Sequence, residues 1–255
     1  MIKINRKDVI FGPQINLKGY SKGYADGQKS EYDRFWDAFQ DYGNRTNYVN
    51  AFSGVYWNAD TLRPKYTCKI VNDGGASMFN KCFFSPTAYT KTLDISHISI
   101  DVSEATNCEA MFSNALVNKV TLIFSEKVTS LLNAFTKNNQ GGATGMEITL
   151  KVPNPNCNWT NAFSYHANLK RLILLEGTVI GVNGFSVQWC QYLPQEDIVG
   201  IINALSTQTS GLSVAINKRA VDKAFETSSG ANDGSTSAKW LALIATKPNW
   251  TISLI

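Results

Sequence analysis

The sequence predicts an α/β repeat solenoid, a β-rich stack of irregular short turns closed by a helix at one end and an α+β unit at the other. Three observations predict it. A small residue or Met followed by Phe recurs at Ala51-Phe52, Met78-Phe79, Met111-Phe112, Ala134-Phe135, Ala162-Phe163 and Gly184-Phe185. Successive Phe residues lie 27, 33, 23, 28 and 22 apart, spacings that suit one turn of a stack with insertions. Leu122, Leu150 and Leu172 each stand 13 residues ahead of a Phe. An ordinary β-sandwich in which Ala-Phe recurs by chance would not keep that offset.

The N-terminal segment, 1–47, contains "SEYDRFWDAFQDYG", 30–43. Tyr32, Phe35, Trp36 and Phe39 fall at i, i+3, i+4 and i+7, the apolar stripe of a helix. Ser30 suits an N-cap and Gly43 a stop. Such a helix closes the first open turn of a stack, or docks a partner.

The repeats fill 48–193. Two residues after each marker Leu comes a second apolar residue, at Phe124, Val152 and Leu174. Two before come Val120 and Ile148, while Lys170 interrupts the pattern. Period-two alternation predicts short strands with one buried face. The turn that ends at Phe112 fits with a one-residue slip, its strand being "HISIDV", 97–102. Turn formers follow the strands: "SEK" at 125–127, "PNPN" at 153–156 and "EG" at 176–177. Four residues before the Phe, Cys108, Leu131 and Trp159 are expected to point inward. Insertions fall between each Phe and the next strand, most clearly "TKNNQGGATG", 136–145.

After Leu193 the pattern changes. In 194–255, "PQEDIVGIINAL" has Ile198, Ile201, Ile202 and Leu205 at helical spacing behind Pro194. "GLSVAI" and "NWTISLI" predict strands, and "KRAVDKAFE" and "STSAKWLALIATK" predict helices. "SSGANDGS", 228–235, predicts a surface loop and lacks the pattern of a phosphate cradle.

Composition narrows the function. Of 255 residues, 44% are hydrophobic and 11% aromatic, enough for a real core, but only 17% are charged. The net charge of +4 is scattered, without the basic stripe of a nucleic-acid binder. No stretch approaches the roughly 18 apolar residues of a membrane span. The N-terminal "MIKINRKDVIFGPQ" lacks the apolar core of a secretory signal, so folding in a cytosol is expected. Cys68, Cys82, Cys108, Cys157 and Cys190 are widely spaced and form no C-x-x-C, so reduced, mostly buried thiols and no metal site are expected.

Catalytic patterns are missing too. His97 and His166 sit in no nucleophile or metalloprotease motif. Glu109, Glu126, Glu147 and Glu176 are dispersed, which disfavours, without forbidding, a carboxylate pair for glycoside hydrolysis. Aromatic rings suit a weakly charged surface better, because they stack on the apolar faces of sugars without charge. Tyr56, Trp57, Tyr165, His166, Trp189 and Tyr192 are the candidate ligand-binding residues, and neither catalytic residues nor cofactors are expected.

"FSEKVTSLLNAF", 124–135, resembles the "IP-x-x-V-x-x-I-x-x-x-A-F" turn of BspA-like leucine-rich repeats, and "MFNKC", 78–82, resembles that family's Phe-x-x-Cys ending. The resemblance covers roughly 48–193 and departs in irregular turn length and in losing the Cys after most Phe residues. The flanks, 32–66 and 193–255, look like blocks of leucine-rich-repeat proteins encoded by phages and prophages of gut Firmicutes. The resemblance implies a virion-associated protein, as a tail or baseplate accessory or a receptor-binding component, and relatives acting as surface adhesins. No catalytic residues come with it. The expectation is a non-enzymatic binding module that recognises a bacterial surface glycan or protein and contacts other tail proteins, with homo-oligomers possible. A structural tail protein is the alternative, and a glycan-cleaving enzyme is less favoured.

Overall fold

Alternation such as Val120-Thr121-Leu122 puts every second side chain on one face of an extended chain, and that face needs cover. The structure is a computed structural model that describes residues 66–69, 98–113, 119–137, 146–208, 210–225 and 237–255. In it, neighbouring turns of the same chain supply the cover. The strands are β1 (Tyr66–Lys69), β2 (Ile98–Asp101), β3 (Lys119–Ile123), β4 (Met146–Lys151), β5 (Leu169–Leu174), β6 (Ser186–Val187), β7 (Leu212–Ile216) and β8 (Trp250–Leu254). They form three small sheets, β1-β2, β3-β4-β5 and β6-β7-β8, and every pairing is parallel. The helices are α1 (Gln195–Ala204), α2 (Lys218–Phe225) and α3 (Ala238–Ala245), each within a range predicted from sequence. The predicted helix at 30–43, Phe52, Phe79, most of the 136–145 insertion and the 228–235 loop lie outside the described residues.

Register makes the stack. Val120 sits beside Ile148 and Leu122 beside Leu150, all buried. The next strand corrects the sequence alignment. Leu172 pairs with Ile148, and Leu174 pairs with Leu150, two residues away from the constant 13-residue offset. The register shifts between Met146 and Glu147, so Lys170 is the extra residue of a bulge between Leu169 and Arg171. Lys170 therefore does not break the alternation. It bulges out, and the inward face resumes at Leu172. The two residues are recovered in a shorter turn, where Gly177 at φ +85° stands in place of the longer "PNPN" loop. Gly181 lies close against the previous turn, and a Cβ there would stand 2.7 Å from the Pro155 carbonyl oxygen.

The Phe residues form the second column. Phe112 and Phe135 stack at 5.7 Å between ring centroids and 4° between planes, and Phe135 and Phe163 at 5.6 Å and 2°. Phe185 turns to 66° against Phe163, with Trp159 against its ring at 5.3 Å. Cys108, Leu131 and Trp159 are fully buried, as the spacing predicts. Backbone bonds tie the turns together: Phe112 N–H donates to Ala134, Phe135 N–H to Ala162 and Lys137 N–H to Ser164.

Phe112, Phe135 and Phe163 are each reached through a left-handed residue two positions earlier, namely Ala110 (φ 51°), Asn133 (56°) and Asn161 (57°), whereas Phe185 follows directly on the left-handed Gly184 (102°). Three residues ahead of the first three, Asn107, Ser130 and Asn158 pair in parallel bridges. Each accepts with its side chain from the backbone N–H two residues on. Asn tolerates the left-handed region better than other non-glycine residues, and Ala does not.

The C-terminal segment adds parallel pairings of its own in the separate β6-β7-β8 sheet. Ser186-Val187 pairs with Ala215-Ile216, and Ile180 bridges to Leu205. The buried side chains from Ile100 to Trp250 form one cluster. Helix α1 lies along β5, the edge of its sheet, and its Asp197 carboxylate replaces the missing strand. It accepts from the Leu172 N–H at 2.8 Å and from Arg171 Nε and Nη2 at 3.0 and 2.9 Å. This is a protected edge. At the other end of α1, Lys247 Nζ donates to the carbonyls of Asn203, at 3.0 Å, and Leu205, where a cation complements the helix dipole. The Trp250 indole and Asn249 amide both donate to the Ser206 carbonyl.

Two outcomes follow from this architecture. Ala110→Asn should raise stability by about 1 kcal/mol by relieving left-handed strain, read as a higher urea midpoint at unchanged m-value; an unchanged or lower midpoint refutes it. Asp197→Ala should cost about 3 kcal/mol, because it strands a buried N–H and a guanidinium, whereas Glu196→Ala on the same Arg171 should cost under about 0.5 kcal/mol. Equal losses in the two variants would remove the edge-capping role.

Candidate functional site

The turn after Phe163 runs Ser164-Tyr165-His166, and its side chains divide between solvent and core. Tyr165 is 48% exposed and His166 only 1%. The segment after β6 divides in the same way, with Cys190 and Leu193 buried and Trp189 and Tyr192 exposed at 42% and 52%. The Cys190 N–H donates to Val187 and the Gln191 N–H to Trp189, which fixes this run as tight turns. The fold brings the two segments together. The Tyr165 and Trp189 rings lie 4.9 Å apart between centroids and are tilted by 33°. Tyr192 projects three residues further along the same run. Tyr56 and Trp57 lie outside the described residues.

Tyr165 carries a signal that no sequence spacing gives. Its φ is 57°, in the left-handed region. For a bulky aromatic this conformation is strained, and such strain clusters at functional sites. The turn holds it there: Ser164 N–H donates to Asn161, His166 N–H to Phe163 and Ala167 N–H to Tyr165 itself. The ring gains little core packing in return for the strained backbone.

His166 is not a ligand-facing residue, and the expectation for it is corrected. Its Nε2 lies 3.2 Å from Met146 Sδ. A thioether sulfur only accepts, so the neutral imidazole carries its proton on Nε2. Nδ1 is buried without a hydrogen-bond partner. Burial, with the positive charge of Lys137 added, pushes the His166 pKa down to about 3. The two groups share a neighbourhood for a reason visible in the repeat. Lys137 follows Phe135 by two residues as Tyr165 follows Phe163, and the Lys137 N–H donates to Ser164. Lys137 is itself buried, which pushes its ammonium down to about 8. Sequence reading passed over Lys137, although its position two residues after a Phe would have singled it out.

The described cysteines and several surface carboxylates have structural settings. Burial pushes the Cys108 and Cys157 thiols up to about 12, with the nearby Cys157 adding to the effect at Cys108, and burial pushes Cys190 higher still. All three thiols are unbridged and buried. Surface carboxylates pair with cations, Glu104 with Lys127 at 2.5 Å and Glu147 with Lys119 at 3.5 Å. Among the described residues no cluster of three or more His, Cys, Asp or Glu could hold a metal ion, and no helix is long and apolar enough to cross a membrane.

The strain at Tyr165 has a measurable consequence. Tyr165→Asn should raise stability by about 1 kcal/mol while removing the exposed ring, because Asn suits φ near 57°. Trp189→Ala should change stability by less than about 1 kcal/mol. Chemical denaturation reads both, and a large loss in either variant would make the ring pair a packing element.

Set against protein-family models, the curated proteins and the solved structures, the chain matches none of them.

Proposed function

We propose that this protein is a non-enzymatic binding module that reads a bacterial surface glycan, or a protein there, through the Tyr165–Trp189 ring pair. One observation carries the reading. An aromatic ring is held half-exposed on a strained left-handed backbone, 4.9 Å from a second half-exposed ring. Two adjacent rings offer π faces to the C–H faces of a sugar, and Tyr and Trp combine large contact area with few rotatable bonds. Tyr192, three residues after Trp189, is a further exposed ring. The parallel turns with their Phe column support reading the chain as a leucine-rich-repeat-like solenoid of BspA type, a rigid scaffold from which loops present side chains. On that reading the protein is carried on a phage particle, made in the bacterial cytoplasm and assembled beside other tail proteins.

A second reading has its own observation. Helix α3 exposes Ala238, Leu241, Ala242 and Ala245 on one face, with Leu241 at 48%. An apolar face of this kind suits packing against a neighbouring protein, as in a structural tail or baseplate component.

The test is binding of the labelled full chain to a panel of Gram-positive gut cells, before and after wall polysaccharide is stripped. Saturable binding that stripping removes, and that falls at least tenfold in Tyr165→Asn and in Trp189→Ala, is the expected result. Binding retained by both variants moves the contact away from the ring pair. Failure of the wild type to bind any cell turns the reading toward partners within the particle.

A further inference from the structure

Asn183-Gly184 is the only Asn-Gly pair in the chain, and its asparagine lacks the task that asparagine performs elsewhere in the stack. In the two preceding turns the residues at this address, Asn133 and Asn161, take the left-handed conformation ahead of Ala-Phe. Here the positive φ has moved on to Gly184, at 102°. The glycine is required, because a Cβ on it would stand 2.6 Å from Thr160 Oγ1. Asn183 is exposed, and the residue that follows it carries no side chain to shield its amide.

The side chain of Asn183 is held in one orientation. Its Oδ1 accepts from the Ser213 backbone N–H at 2.8 Å and from the Ser213 hydroxyl at 3.3 Å, beside the start of β7. A backbone N–H only donates, so the atom that faces it is the amide oxygen and not the nitrogen. Two donors on one amide oxygen are the arrangement that stabilises an oxyanion when the attached carbon is attacked. A nucleophile stands next in the chain. The Gly184 N–H has no acceptor among the described residues.

We infer that Asn183 is a self-modification site, converted in the folded protein to aspartate and isoaspartate with Ser213 as the activating group. The Gly184 nitrogen gives its proton to solvent base and attacks Cγ of Asn183. A Cγ–N bond forms and closes a succinimide ring, the Cγ–Nδ2 bond breaks, and ammonia leaves with a proton taken from water. A second water then opens the ring. Addition at Cγ restores the main chain and gives aspartate, whereas addition at the main-chain carbonyl routes the chain through the side chain and gives isoaspartate. In sum one water is consumed and one ammonia released, with nothing oxidised or reduced.

The fold treats the two products differently. Aspartate keeps an acceptor for both Ser213 donors, now a charged and stronger one. Isoaspartate lengthens the main chain directly ahead of Gly184, which is packed against Thr160 without room for even a methyl group. It therefore strains the pairing of Ser186-Val187 with Ala215-Ile216. Either product adds a negative charge to the run that leads on to Trp189. This chemistry belongs to the chain itself and stands apart from the binding reading.

The experiment is incubation of the folded full chain at pH 8 and 37 °C, followed by peptide mass spectrometry and an ammonia assay. The expected result is the Asn-to-Asp mass increase in the peptide carrying Asn183, matched by released ammonia, with the peptides carrying Asn133 and Asn161 unchanged. Ser213→Ala removes one of the two donors on Oδ1 and should slow the conversion roughly 2- to 10-fold. Ser213→Thr keeps a hydroxyl and should hold the wild-type rate. Asn183→Asp should keep the wild-type urea midpoint. An Asn183 that stays intact while the chain remains folded overturns the inference, as does a rate in Ser213→Ala that is unchanged or raised. Should Ser213→Ala fail to fold, the wild-type comparison of Asn183 with Asn133 and Asn161 decides, and equal conversion at the three positions overturns the site.

Discussion

The constraint on which the rest of the structure depends is that successive turns stack in register, so that each turn's backbone finds its partners in the next. A single turn here has too few apolar residues to bury its own face. Placed one over another, the turns satisfy two needs at once. Backbone donors at Phe112, Phe135 and Lys137 meet carbonyls one turn on, and the Phe rings above them close into a column with planes 2–4° apart at its regular part. The left-handed residue ahead of each Phe is the local device that makes this possible, because it turns the chain sharply enough for the ring to point back into the stack. Where the column loses regularity, at Phe185, the cause is local as well. Trp159 occupies the space that a parallel ring would need, and Phe185 meets it edge-on.

A stack of this kind has to end, and the C-terminal segment ends it by substitution rather than by a separate core. The edge of β5 would leave backbone donors open, and Asp197 supplies an acceptor in place of a strand. The carboxylate is nearly inaccessible, and the guanidinium of Arg171 meets it with two N–H groups, the geometry in which a buried ion pair is worth keeping. The carbonyls at the far end of the same helix are met by Lys247, which comes from a loop more than forty residues later. One helix therefore fastens both the last repeat strand and the final segment, and its sequence of buried Ile198, Ile201 and Ile202 is the face that seats it.

The exposed Tyr165–Trp189 ring pair has features that the packing does not require. The strained Tyr165 and the sulfur-bonded, otherwise unpartnered His166 stand side by side. Both are locally unfavourable, and the surrounding column is rigid enough to impose them. The position that carries Tyr165 in one turn carries Lys137 in the turn before, so a single structural address is filled by an exposed ring in one case and a buried cation in the other. The ring pair is therefore a local departure from the repeat, laid on the repeat's own geometry.

Much of the architecture was legible because periodicity is a property of the chain. The period-two alternation of Val120-Thr121-Leu122, the inward Cys108, Leu131 and Trp159, the i, i+3, i+4 pattern of helix α1 and the Ala-Phe markers all follow from which residues can share a face. What spacing could not reveal was register, because a bulge changes the count without changing the composition. Leu172 pairs with Ile148 only because Lys170 steps out of the ladder. Spacing also could not separate Tyr165 from His166. Both are amphipathic residues in one polar turn, and which of them faces solvent depends on a backbone angle and on Met146, twenty residues earlier in the chain. The sequence by itself determined the elements and their buried faces, since these depend on local order. Only the tertiary structure decided which side chains from distant turns meet, because that is set by register and by the space the neighbouring turns leave.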